Sequence, residues 1–356
     1  MKKPSVSVLM SVHNGGRWLR PAIDSVLAQT RWDFEFIILD DASTDDSAEQ
    51  ISAVGDARIR LIRLPENIGL TRSLNFGLRE ARGRFVARQD ADDLSDPCRL
   101  EKQLAFLQRH PEVALVGAQA RLIDAEGRSR GVRNLPLEPA SLRWLSLLDN
   151  PVIHTAATFR TAVVRDEFGG YDESFSCCQD YALWMKVMGK YDVANLPARL
   201  VSVREHGASV SATRRSEAQV LVERVVRETV NARFPALASE EAFTRLLCAF
   251  RRHLTPDEVQ PFHEALAQLE TAIEQHQQSS PRGSADLRRT RAQLFARIAY
   301  NLLAEDRVQA AAELVRAINA WPKVALELPW LRMLGLFLMG DAARRWFARA
   351  REGLGR

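Results

Sequence analysis

The sequence predicts an α/β fold, a mostly parallel sheet flanked by helices, joined to an all-helical C-terminal part. Three observations carry that expectation. Short apolar runs of β type alternate with segments of helical period from the N-terminus to about residue 125, a pattern that places helices on the faces of a sheet. Carboxylates gather at the ends of those runs, where open α/β sheets bind ligands. Beyond Ser216 the β-type runs stop and helical spacing takes over.

Taken in order, Val6–Met10 reads as a strand, and Leu19, Ile23, Val26 and Leu27 then fall at helical spacing within Arg17–Gln29. Phe34–Leu39 is apolar, too short for a helix, and ends at Asp40-Asp41. Asp45–Val54 reads as a helix, Ile59–Leu64 as a strand, and Thr71–Arg82 as a helix with Leu74 and Leu78 inward. Phe85–Ala87 is a strand that runs into Asp90-Ala91-Asp92-Asp93. Asp96-Pro97 is a cap and first-turn proline opening a helix to about Arg109, and Val113–Ile123 is strand-like. From Leu135 to about Ser211 the pattern loosens into loops and short elements. Glu217–Phe234, Glu240–His253, Asp257–His276, Asp286–Ala304 and Arg307–Ala320 then read as helices, with Gln277–Ser284 as a flexible connector. The expected domains are residues 1–215, which carry the chemistry, and 216–356, helical, with oligomerisation or contact with an acceptor or membrane surface as its role.

Composition is that of a globular chain: 46% hydrophobic and 26% charged over 356 residues, which excludes a disordered or collagenous protein. The net charge of +4 is too small to imply nucleic-acid binding by itself. Four cysteines form no CxxC pair or His/Cys metal spacing, so a reduced, cytoplasmic setting is the simpler expectation. Val324–Met339, the most apolar stretch, is broken by Glu327, Pro329 and Arg332 and falls short of a membrane span. GxGxxG, P-loop and G-x-S-x-G motifs are missing, which argues against dinucleotide oxidoreductases, kinases and serine hydrolases.

The chemistry therefore rests on the strand ends. Asn14-Gly15-Gly16 follows the first strand, Asp40 and Asp41 the second, and Asp90, Asp92 and Asp93 the fourth. Clustered carboxylates repel unless a cation joins them, and carboxylate oxygens suit Mg²⁺ or Mn²⁺, which complete their shells with phosphates and water. A metal–phosphate site is one reading; helix or turn capping is the other, and it is preferred for Asp45 and Asp46.

Together these segments resemble the family 2 glycosyltransferases of the GT-A fold, a Rossmann-like arrangement. The resemblance is carried by Val6–Asn14, Ile38–Asp45, Asn67-Ile68-Gly69-Leu70 with Asn75, Asp90-Ala91-Asp92-Asp93, Gly169-Gly170-Tyr171-Asp172 and Gln179–Trp184, and it spans residues 4–211. It implies an inverting transfer from a nucleoside-diphosphate sugar, UDP-sugar favoured, to a hydroxyl of a saccharide or lipid-linked acceptor. Ser11, Asn14, Asp41, Arg72, Asp90, Asp92 and Asp93 would bind the donor, with Asp41 on the base and Asp90-Ala91-Asp92 as the Asp-x-Asp motif. Asp92 and His206 would hold Mn²⁺ or Mg²⁺, and Asp180 would be the base. Two positions depart from the commonest pattern: Ala42 stands where Gly is frequent, and Gln179 where an acidic residue often precedes the base.

Other residues stay open between roles. His154 fits an acceptor or diphosphate pocket, or a structural hydrogen bond. Trp184 shares a helix face with Asp180 and stacks on a sugar or fills the core. His206 contacts metal and diphosphate or is a plain loop histidine. Trp330–Met339 followed by Arg344, Arg345, Arg349, Arg351 and Arg356 either docks on an anionic membrane or packs on the helical part or a second copy. The rival functions are a non-catalytic nucleotide-sugar-binding or scaffolding protein and a nucleotidyltransferase.

Overall fold

The computed structural model describes residues 3–207, 213–234, 255–276, 285–302 and 306–320. Within the first of these stretches the chain alternates as the periodicity predicts: β1 (Val6–Val12), α1 (Gly16–Leu27), β2 (Phe34–Asp40), α2 (Ser47–Ser52), β3 (Ile59–Arg63), α3 (Leu70–Glu80), β4 (Phe85–Arg88), β5 (Leu94–Ser95), α4 (Arg99–Arg109), β6 (Val113–Ile123) and β7 (Ser129–Arg133). After them come α5 (Pro139–Ser146), a 3₁₀ turn (His154–Ala156), β8 (Thr158–Arg160), a π-helical turn (Ala162–Glu167), α6 (Gln179–Met188) and β9 (Asp192–Arg204).

The sheet runs β3-β2-β1-β4-β8-β6-β9-β5, with β7 paired to β6. β1 is parallel to β2 and β4, β2 to β3, and β6 to β9, while β8 lies antiparallel between β4 and β6. β1, β2, β3, β4, β6 and β9 therefore share one direction, and their carboxyl ends open on one edge. Strands buried on both faces read as continuous apolar runs, and every residue of β2 is buried. Leu19, Ile23 and Val26 of α1 pack with Leu100, Leu104 and Leu107 of α4 against Val8, Met10, Phe36 and Ile38.

Two expectations need correction. The stretch from residue 135 holds more than loops and short elements, for its described residues include the ten-residue α6 and the thirteen-residue β9. α4 begins at Arg99, because Asp96 caps a preceding turn by accepting the Cys98 and Arg99 amides on its side chain and carbonyl.

Beyond this, α7 (Arg215–Arg233), α8 (Pro256–His276), α9 (Ala285–Leu302) and α10 (Arg307–Ala320) are helical as expected. The expected helix Glu240–His253, the connector Gln277–Ser284 and the membrane-docking segment 323–356 lie outside the described residues. The chain divides into two compact units, Met1–Ser146 with Asn150–Val225, and Leu147–Asp149 with Val226–Arg356. Among the described residues, no helix is long and apolar enough to cross a membrane.

Candidate active site

Parallel neighbours β2, β1 and β4 bring three loops together at their carboxyl ends. Asn14, in the left-handed region at φ +56°, latches the first loop to the second. Its Oδ1 accepts the Thr44 and Asp45 amides at 2.8 and 3.3 Å, and its own amide donates to Ser43 Oγ at 3.0 Å. Asp45 accepts the Gly16 and Ser47 amides at 3.1 Å each, the capping role expected of it.

Asp41 does more than was foreseen. Its two carboxylate oxygens accept the Ile68 and Gly69 amides at 2.9 Å each, and it is buried. Gly69, at φ +85°, can take that turn because it has no Cβ. Asp41 thus anchors the entry to α3, and only its remaining lone pairs are left for a ligand. Ser11 Oγ donates to Ser73 Oγ at 2.9 Å, tying the end of β1 to α3. Arg72 is exposed and lies 3.6 Å from Glu173.

The acidic turn after β4 contains carboxylates in three environments. Asp90 is part-exposed, ion-paired with Arg88, and its amide donates to Thr155 Oγ1 at 3.1 Å. Asp92 is part-exposed, with Oδ2 2.9 Å from His206 Nε2. Asp93 points inward, buried, and accepts the Arg204 amide at 2.8 Å. Burial and then the Asp90 charge raise the Asp92 carboxyl, against the His206 hydrogen bond. Burial, then Asp90 and Asp92, push Asp93 well above the carboxylate range. Asp93 is therefore an internal tie between the acidic turn and β9.

His206 follows the end of β9, its ring 4.2 Å from that of Trp18, with Nδ1 buried and without a hydrogen-bond partner among the described residues. Arg204 fixes this corner by donating to the Asp92 and Asp124 carbonyls at 2.9 and 3.0 Å. Among the described residues no three His, Cys, Asp or Glu side chains form a ready cation cage. The donor set still fits Mg²⁺ or Mn²⁺: a cation would ionise the Asp92 carboxyl that burial and the Asp90 charge raise, and such ions take one or two carboxylates and complete their shells with phosphate.

The 3₁₀ turn, which meets the acidic turn through Thr155, and α6 supply the remaining groups. Asp180 sits in the first turn of α6, where the helix dipole favours negative charge. It accepts Asn150 Nδ2 at 2.7 Å. In α6 every residue except Asp180 and Lys186 is buried, so Asp180 is the acidic group the helix leaves open. Trp184 is fully buried, its ring centroid 6.2 Å from that of His154 and 6.1 Å from that of Phe159. Its ring is enclosed by the core.

His154 Nε2 lies 3.0 Å from Arg88 Nε and 3.1 Å from the Tyr171 hydroxyl. Burial first, and the Arg88 charge second, lower its pKa to about 4. Both Asp180 and Asp90 act electrostatically on His154 and Tyr171, each favouring the protonated form. Asn75 brackets Tyr171 by accepting its amide and donating to its carbonyl, both at 2.8 Å. A Cβ on Gly170 would meet Asn75 Oδ1 at 2.5 Å, which explains why Gly169-Gly170-Tyr171 and Asn75 occur together.

Sequence reasoning missed Arg88, Arg99 and Asn150. The first had a signal: Arg88 is a charge inside an apolar strand, two residues before the acidic turn. Asn150 had none, since it meets Asp180 only through the fold.

The comparisons bear on this geometry. The model of Glycosyl transferase family 2 matches residues 7–168. The chain is 38% identical over 208 residues to the putative glycosyltransferase EpsE of Bacillus subtilis (strain 168), covering 57% of this chain and 73% of that protein. It is 32% identical over 203 residues to the amylovoran biosynthesis glycosyltransferase AmsE of Erwinia amylovora, covering 56% and 75%. Among solved structures, S. aureus TarS 1-349 in complex with UDP-GlcNAc aligns with TM-score 0.54 at 16% identity over 90% of each chain. The mannosyltransferase PcManGT from Pyrobaculum calidifontis, in complex with GDP-Man and Mn²⁺, aligns with TM-score 0.50 at 20% identity over 97% of this chain and 87% of that one. These two likenesses establish the fold, and the curated relatives establish the lineage: this chain belongs to glycosyl transferase family 2.

Proposed function

We propose that this protein is an inverting glycosyltransferase that moves a sugar from a nucleoside-diphosphate donor, UDP-sugar favoured, to a hydroxyl of a saccharide or lipid-linked glycan. The observation that carries the reading is the acidic turn, with Asp92 2.9 Å from His206, together with Asp180, the acidic group that α6 leaves open and Asn150 holds at 2.7 Å. The nucleotide sugars bound by TarS and PcManGT support it.

In this reading Ser11 and Asp41 hold base and ribose, Arg72 meets base or diphosphate, Asp90 contacts the ribose or a metal-bound water, and Asn14 completes the donor-binding set. Asp92, with His206 beside it, would hold Mn²⁺ or Mg²⁺, which when bound supplies charge stabilisation to the departing diphosphate. Asp180 takes the proton of the acceptor hydroxyl as that oxygen attacks, a contribution of about 10²–10⁴ in rate. One displacement inverts the anomeric carbon, with a single base and no carboxylate nucleophile, unlike retaining hydrolases. Asn150 orients Asp180 by donating to one oxygen, which leaves the other for the acceptor. His154, low in pKa, stays neutral near pH 7 and donates or accepts hydrogen bonds without competing for the proton.

A panel of nucleotide sugars, screened by thermal shift with and without Mn²⁺ and then by release of nucleoside diphosphate, tests the reading. A true donor at about 100 times its Kd stabilises by about 2.7 kcal/mol. No shift with any nucleotide sugar, or full turnover in excess EDTA, overturns the metal-dependent transferase.

A further inference from the structure

Arg88 is the last residue of β4 and is fully buried, yet it carries a charge where Leu or Met would fill the space. Its guanidinium is committed in several directions. Nη1 donates to the Leu9 and Gln89 carbonyls at 2.6 and 2.8 Å, Nη2 pairs with the Asp90 carboxylate, and Nε donates to His154 Nε2 at 3.0 Å. A planar fork of five N–H donors can meet these partners at once; an ammonium cannot. Beneath it lies a second buried guanidinium, Arg99, which donates to the Arg88 carbonyl at 2.7 Å and to Gln89 and Gln103 side chains. Arg88 therefore sits on a rigid polar floor.

The consequence for His154 follows from bond chemistry. Arg88 Nε–H has no lone pair to offer, so the His154 nitrogen facing it must be the unprotonated one. The Tyr171 hydroxyl, 3.1 Å away, shares that nitrogen. The proton of the neutral ring is thereby forced onto Nδ1, leaving His154 an N–H donor by its remaining nitrogen. The same guanidinium that sets this tautomer also holds Asp90 from the other end.

We propose that Arg88 is a positioning residue that joins the two sides of the site, orienting Asp90 toward the donor and fixing His154 as an Nδ1–H donor on the wall shared with Asp180. The assignment of donor and acceptor sides rests on the glycosyltransferase reading; the Arg88–His154 tautomer does not.

Long-range ¹H–¹⁵N spectra of the uniformly labelled full chain test the second half directly, with the His154 signal identified by its loss in His154→Gln. The wild-type ring should show the Nδ1–H tautomer and keep it from pH 8 to pH 5. An Nε2–H tautomer, or titration within that range, overturns the proposal without any change at Arg88. Arg88→Lys keeps a charge in the space, and Arg88→Met removes it; in each that folds, His154 should lose the fixed tautomer, and in Arg88→Met its pKa should also rise, though burial still holds it below an ordinary imidazole.

The first half is read from affinity for UDP and GDP with Mn²⁺ by calorimetry. Arg88→Met or Arg88→Lys should weaken binding of the preferred nucleotide about tenfold, Asp90→Asn by a similar factor, and the double variant no further, because both act through one carboxylate. Fully additive losses, or an Arg88 variant with native affinity and an unchanged His154 signal, defeat the positioning role. If Asp90→Asn itself leaves affinity untouched, the donor-site reading has failed instead, and the tautomer result stands apart from it.

Discussion

Single residues here divide into those that meet ligand and those that hold them in place. Asp180 belongs to the first group in the proposed mechanism. Asp180→Asn preserves size and the partnership with Asn150 but removes the proton acceptor, so kcat should fall by about 10²–10⁴ with donor affinity retained. Single-turnover kinetics beside calorimetry separate the two; lost affinity with native kcat would make Asp180 a binding residue. Ala42 belongs to the second group. It occupies φ +54° in the turn after Asp41, a conformation that crowds its Cβ against the backbone. Ala42→Gly should raise the free energy of unfolding by up to about 1 kcal/mol, measured by urea titration, and a loss would show that the Ala42 methyl packs usefully. The sequence flagged Ala42 as unusual, and the structure shows why glycine suits that turn.

At the scale of elements, the loop that delivers Asp180 is held by a helix from far along the chain. Arg214 donates to the Ser176 carbonyl at 3.3 Å, Glu217 of α7 accepts the Ser176 hydroxyl, and Arg224 donates to Ser174 Oγ at 3.3 Å while lying 5.0 Å from the centre of the Phe175 ring. The first half of α7 thus fastens residues 174–176 just before α6. Removing both fasteners in Glu217→Ala/Arg224→Ala should lower kcat by about tenfold and leave donor affinity intact, since small displacements of a catalytic group are costly. Steady-state kinetics with calorimetry check this, and unchanged kcat would mean that α6 alone sets the base. Elements also explain what was illegible. β9 contains Pro197, which argues against a strand when read alone. In the sheet Ala118 pairs with Leu196 and Gln119 with Arg199, so the proline falls in an irregularity of the ladder.

At the scale of the molecule, stability should follow the titration of His154. Its pKa in the fold is about 4 against an ordinary 6.5, so between those values the unfolded chain binds a proton that the native state does not. Stability therefore falls as pH drops through that window, by about 3 kcal/mol for this group. His154→Gln should flatten that part of the pH–stability curve in urea melts, and an identical slope would show that other groups dominate. The C-terminal segment 323–356 has a net charge of +4 with Trp330, Trp346 and Phe347 among its arginines. Near an anionic bilayer each basic residue contributes about 1 kcal/mol. The full chain should co-sediment with phosphatidylserine vesicles more than a chain ending at Lys323, and equal pelleting would leave the segment a packing role.

The sequence by itself determined the alternation of β1–α4, the carboxylates at the strand ends and the family resemblance, because hydrophobic period and short-range turn chemistry are local properties. It also marked Asp92, His206 and Asp180 as candidates, though they lie far apart in the chain. What only the tertiary structure decided is how these groups are divided between surface and interior. Asp93 turned inward, Trp184 sank into the core, Asp41 took up two backbone amides, and Arg88 became the buried link between Asp90 and His154. Burial and partnership depend on what strands and helices remote in sequence bring alongside. Neighbouring acidic residues such as Asp92 and Asp93 therefore look alike on paper and differ in the fold.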